Sequence, residues 1–116
     1  MKIIVYDERR VGGKYDLTND GGLHIGSGIL HKRELFEINE YAGIMPSENE
    51  IDEVYGDLFI IGEDLYEKLK KIYELHNYTE VIDEIDVNGT LHSGVTYFMR
   101  PQIVRNYIES GDWFNR

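Results

Sequence analysis

The segment YTEVIDEIDVNGTLHSGVTYFM, residues 78–99, places Asn88-Gly89 between two runs of alternating apolar and polar residues. No other feature constrains the fold as strongly. Asn and Gly tolerate the positive φ of a type I′ turn, whose twist matches that of paired strands. A hairpin is therefore expected, with Val81, Ile85 and Val87 on one arm and Leu91, Val95, Tyr97 and Met99 on the other. A turn of fixed length also fixes the register. The acidic run at 82–86 puts Glu84 and Asp86 on one face of a strand. It lacks the glycine and ligand spacing of a calcium-binding EF-hand. A solvated hairpin face is the expectation there.

The other segments supply partners for that hairpin. KIIVY at 2–6 is a short β-branched run and reads as a strand. RRVGGKYDLTNDGG at 9–22 reads as a loop, punctuated by two Gly pairs. Two strands are expected around 23–30 and 33–38, with Gly26 and Gly28 marking a bulge or a close backbone approach. Pro46 and the polar SENE make a turn. Residues 51–61 read as a strand with Val54, Leu58 and Ile60 on one side, interrupted by Gly56. GEDLYEKLKKIYELHN is the one helix. Glu63 or Asp64 suits its positive end, and Leu65, Leu69, Ile72 and His76 share a stripe. After a break at Pro101 a short helical turn, a Gly turn and Trp113 are expected. The whole predicts an α+β fold over residues 1–116 as one domain: a small, curved, mostly antiparallel sheet or barrel with one main helix.

Composition narrows the function. The chain carries a formal net charge of −10 over 116 residues. Phosphate backbones repel such an acidic protein, which excludes general nucleic-acid binding and leaves room for a basic protein partner. There are no cysteines, which excludes disulfides, thiolate zinc sites and thiol catalysis. No apolar run approaches membrane-spanning length, so no membrane partner and a cytoplasmic location are expected. His24, His31, His76 and His92 show no ligand spacing, and no metal or cofactor is expected. GSG at 26–28 and GG at 12–13 lack the Lys-Ser/Thr pair of a phosphate loop. Nine tyrosines are many for this length, and some of them could line a pocket.

In order and spacing, these segments resemble the gamma-glutamylcyclotransferase-like, or AIG2-like, family. VYDERR stands where the family carries a motif like VYGTLR. GSGILHKRELFEINEYAGIMP runs parallel to a segment ending in Y-P-G, and VYGDLFIIGEDLYEKL to V-x-G-E-L/V-Y-E-I. The family helix closes with a motif like L-D-x-L-E-G-Y, and ESGDW at 109–113 matches a late family element. The resemblance implies a small six-stranded barrel-like sheet with a cavity and no cofactor. It implies a first loop whose backbone holds the gamma-glutamyl end of a small substrate. A helix glutamate would act as base while the substrate amine attacks its own side-chain carbonyl, releasing 5-oxoproline.

Mapped onto this chain, the implied ligand-binding residues are Tyr6, Asp7, Glu8, Arg9 and Arg10, with Tyr97 nearby. Asp7 replaces the family glycine, Glu8 a small hydroxyl residue and Arg9 a leucine. Aligning Leu69 with the motif leucine puts Tyr73 at the position of the base, with Glu74 one residue further on. At about 100° per residue, Tyr73 falls about 80° from Leu65 and Glu74 about 180° from it, away from the core. The catalytic candidates are Glu74 and Tyr73, and Asp57 or Glu53 could supply a displaced base. Two readings follow. One is an active cyclotransferase acting on a gamma-glutamyl amide. The other is an inactive module of that fold, binding a small polar ligand or a protein partner. Such a small, acidic, diverged copy would suit a phage or mobile element.

Overall fold

The computed structural model describes residues 1–100 and 106–116. The Asn88-Gly89 turn forms as expected, with φ of 52° and 85°. It joins β6 (Thr79–Val87) to β7 (Thr90–Phe98) in register from Thr79↔Phe98 to Val87↔Thr90. This hairpin is two of the five strands of a closed barrel, one fewer than the six that the resemblance implies, because three further strands pair in a separate sheet. The others are β1 (Lys2–Val5), β2 (Leu23–His31) and β5 (Glu53–Ile60), and the order is β1-β5-β2-β6-β7. A parallel contact between Ile3 and Val95 closes the ring. Beside the barrel lies a three-stranded sheet of β3 (Arg33–Ile38), β4 (Tyr41–Pro46) and β8 (Asn106–Tyr107), in the order β4-β3-β8.

The helix α1 (Glu63–Leu75) starts with Glu63 and Asp64 in its first turn, where their charge meets the positive end of the dipole. It ends at Leu75 with His76 as its cap, and Asn77, with a left-handed φ of 65°, turns the chain back. The Tyr78 N–H then returns to the Tyr73 carbonyl at 3.0 Å. Leu69 and Tyr73 are the buried residues of the helix, and Leu65 packs beside them. Burying one such side chain contributes about 2 kcal/mol. His76 departs from the expected stripe, because it caps the helix and is exposed.

Burial divides into two clusters on opposite faces of the sheet. Ile4, Leu30, Leu58 and Ile85 meet Leu35 and Ile44 from the second sheet, together with Trp113. Ile3, Val5, Phe59 and Val95 meet Leu69, Tyr73 and Tyr97 under the helix. Strand β5 is thus covered on both sides, and its parity reading fails in part. Val54 and Leu58 are fully buried, Phe59 is buried on the opposite face, and Ile60 is 39% exposed.

Three further expectations change. Strand β4 went unseen, because Ala42, Gly43 and the closing Pro46 dilute its β-propensity. The acidic run at 82–86 is not wholly solvated. Asp83 is buried and receives a two-pronged Arg33 guanidinium, Nε and Nη2 both at 2.9 Å. The 9–22 loop contains a 3₁₀ turn at Leu17–Asp20. Gly26 follows a register shift in β2, and a Cβ on Gly28 would lie 2.2 Å from the Asp86 carbonyl oxygen, so both the bulge and the close approach are present. The Pro101 break and the start of the helical turn expected after it fall on residues 101–105, outside the described residues; Asn106–Tyr107 form a strand.

Candidate functional site

Strand β1 ends at Val5, and the chain then turns outward under the C-terminal end of α1. Tyr73 lies one helical turn beyond Leu69, so the packing that buries Leu69 also turns Tyr73 inward. Its ring stacks on Tyr97 at 4.2 Å between centroids and meets the edge of Tyr78 at 5.4 Å. Its hydroxyl donates to Asp7 Oδ2 at 2.6 Å. Burial, and then the Asp7 carboxylate, push the Tyr73 phenol well above its ordinary range, so it stays a donor.

Asp7 is buried and gathers further donors from its own loop. The Arg9 backbone N–H reaches Oδ1 at 3.0 Å, and Arg9 Nη1 reaches Oδ2 at 3.0 Å. The Arg9 guanidinium also lies 4.8 Å from the centroid of the Tyr73 ring, at cation–π distance. These groups form part of the wall of a cavity of about 510 Å³. Glu8 lines it too, accepting from the Lys14 N–H at 3.0 Å and from Trp113 Nε1 at 3.2 Å. The β3–β4 hairpin supplies Glu37 from β3, Asn39 and Glu40 from the turn and Tyr41 from β4, and Arg116 also lines the cavity. Glu40 adopts φ of 70° next to Asn39 at 49°, a pairing that strongly favours glycine at the second position.

The expected site residues separate into two groups. Asp7, Glu8, Arg9 and Tyr73 line the cavity. Tyr6 and Tyr97 do not. Tyr6 is buried in the core and donates to the Tyr97 carbonyl at 2.8 Å, while Tyr97 supports Tyr73 from beneath. Glu74 is exposed and outside the cavity lining, as the helix phase requires. Arg10 turns away: Nε reaches Asp57 Oδ2 and Nη1 reaches Asp112 Oδ1, both at 3.1 Å. Asp57 is almost fully buried and outside the cavity lining, and it also holds Ser27 Oγ, His24 Nε2 and the Val11 N–H. Glu53 faces His31 at 3.8 Å. Asp57 and Glu53 therefore tie strands and loop together at a distance from the cavity.

Sequence reasoning missed the β3–β4 turn, Tyr78 and Arg116. The turn had no Asn-Gly signal to announce it. Trp113 carried a visible signal in ESGDW, and its packing explains that segment. Gly111 has φ of 69°, and a Cβ there would lie 2.0 Å from the Glu53 carbonyl oxygen. The Tyr55 N–H bonds to the Gly111 carbonyl at 2.9 Å, which seats Trp113 against Glu8. Among the described residues no group of three or more His, Asp or Glu converges on a point that could hold a metal ion, and no helix is long and apolar enough to cross a membrane.

A barrel-like sheet with one main helix and a cavity is what the family resemblance implies. Residues 3–115 match the family described as gamma-glutamyl cyclotransferase, AIG2-like, and the chain belongs to it. Solved structures agree on the fold. YkqA from Bacillus subtilis superposes with a TM-score of 0.81 at 19% identity, covering 98% of this chain and 39% of that one. The chain thus spans well under half the length of YkqA. The solution structure of ytfP from Escherichia coli gives 0.68 at 22% identity, covering 99% and 97%. A structure named gamma-glutamyl cyclotransferase gives 0.69 at 15% identity, covering 93% and 69%. No curated protein sequence matches this one significantly.

Proposed function

We propose that this protein is a cyclotransferase-fold binding module whose cavity holds a small polar ligand without turning it over. One observation carries the reading: α1 lines the cavity with Ile72 and Tyr73, neither of them an acid, and the Tyr73 hydroxyl donates to Asp7, while Glu74 lies outside. Cyclisation of a gamma-glutamyl compound needs a base for the amine proton. A phenol raised above its ordinary range by burial is protonated at neutral pH and cannot serve. Asp7 is a carboxylate in the cavity, but Arg9 and Tyr73 already donate to both of its oxygens, so most of its acceptor directions are occupied.

The test measures 5-oxoproline release from a panel of gamma-glutamyl amines and amino acids, alongside thermal melts with small polar metabolites. Stabilisation without product is the expected result. Product release by the wild-type chain would overturn the reading. A second reading has Asp7 itself as a relocated base, favoured by its place in the cavity wall. It predicts release that survives Glu74→Gln and disappears in Asp7→Asn.

A further inference from the structure

Three donors from two elements converge on Asp7: the Arg9 backbone N–H, the Arg9 guanidinium and the Tyr73 hydroxyl. A backbone amide, a guanidinium and a phenol arranged in this way form a receptor for a carboxylate. The parts are fixed in place. Tyr73 is clamped between the ring contacts of Tyr97 and Tyr78, and Arg9 lies over the Tyr73 ring. Asp7 and Tyr73 are both buried, so nothing about this seat is a loose surface contact.

We infer that Asp7 is the built-in occupant of a carboxylate seat and thereby sets the ligand class: the cavity takes amine-terminated molecules and rejects acid-terminated ones. An incoming carboxylate finds the three donors of this seat already taken by the Asp7 carboxylate. An incoming ammonium finds an acceptor, because a carboxylate offers about four lone-pair directions and the protein fills three. The remaining direction is on Oδ1, and Asp7 lines the cavity. Glu40, which also lines the cavity, has no hydrogen bond or ion pair among the described residues and holds a left-handed backbone that disfavours its side chain. A second ammonium at the far end of a short chain would meet it.

This inference rests on the proposed reading that the cavity holds a ligand. Its test uses two probes of matched length that cannot be cyclised, 1,5-diaminopentane and glutarate, measured by calorimetry at physiological salt. The wild-type protein should bind the diamine at least about tenfold more tightly than glutarate, a difference of about 1.4 kcal/mol. Asp7→Gly empties the seat and should reverse the order. Asp7→Asn keeps the shape and should lose at least about tenfold in diamine affinity, which decides the matter if Asp7→Gly does not fold. Glu67→Gln, on an exposed helix position, controls for general attraction to an acidic protein. Equal or tighter binding of glutarate by the wild type would overturn the inference. So would an unchanged preference in Asp7→Gly, an equal loss in Glu67→Gln, or no binding of either probe by any variant. None of these outcomes produces 5-oxoproline, so this test fails separately from the test of turnover.

Discussion

Arg10 Nε lies 3.1 Å from Asp57 Oδ2, and this pair holds the first loop against the barrel. Asp57 sits on β5 and is almost fully buried, with Arg10 nearly so. The same guanidinium reaches Asp112, so one side chain joins the loop, the barrel and the ESGDW segment. The loop's position is thus tied to the barrel and to the C-terminal segment.

Breaking that pair should be costly. Arg10→Met leaves the Asp57 charge buried with only the Val11 N–H, Ser27 and His24 as partners. Loss of one member of a buried pair costs about 3–5 kcal/mol, and the remaining partners put this case near 3. Urea unfolding measures it. A loss under about 1 kcal/mol would mean that the pair does not hold the loop.

Tyr73 and Glu74 should separate in stability as they do in space. Tyr73→Phe leaves the Asp7 carboxylate short of one donor and should cost about 1.5–3 kcal/mol. Glu74→Gln, at an exposed position, should stay within about 0.5 kcal/mol. Paired denaturant curves check both, and equal losses would contradict the helix phase.

Alkaline pH should weaken the fold. Burial raises the Tyr6 and Tyr73 phenols well above their ordinary range, and burial also pushes Tyr78 up to about 12. The folded state favours the neutral phenol, so this contribution is complete below the unfolded value of about 10. It is lost as pH rises from there toward the folded values. Phenolate absorbance should show some of the nine tyrosines silent near pH 11, appearing only as the protein unfolds. Ionisation of all nine in a still-folded protein would contradict this.

Gly111→Ala should unseat Trp113. The new Cβ would meet the Glu53 carbonyl oxygen at a positive φ that a side chain rarely adopts. The chain has one tryptophan, so its fluorescence should shift to longer wavelength as the indole leaves its buried site. An unchanged spectrum would show that the backbone can adjust.

The parts of this architecture that were legible in advance rest on local signals. Asn88-Gly89 announced its hairpin, because turn chemistry acts over two residues. The helix phase turned Tyr73 inward and Glu74 outward, because a buried Leu69 fixes the rotation of its neighbours. What stayed hidden depends on long-range placement. Arg10 and Arg9 are adjacent in sequence, yet one faces Asp57 and the other lines the cavity. Nothing local reveals that Asp83 would meet Arg33 across the fold, or that the β3–β4 turn would bring Glu40 over Tyr73's cavity. Tyr6 looked like a ligand contact by motif position and Tyr97 like its neighbour in the pocket, and both belong instead to the packing beneath.

The central claim is that a phenol occupies the place where cyclisation needs a base. The most direct measurement compares 5-oxoproline release by the wild-type chain with release by the double variant Asp7→Gly, Tyr73→Glu, which places at both positions the residues that the family resemblance implies. No release above the uncatalysed background from the wild type, with product from the double variant, is the predicted result; a missing base costs about 10²–10⁴ in rate. Wild-type release that survives Tyr73→Phe and is lost in Glu74→Gln would contradict the account.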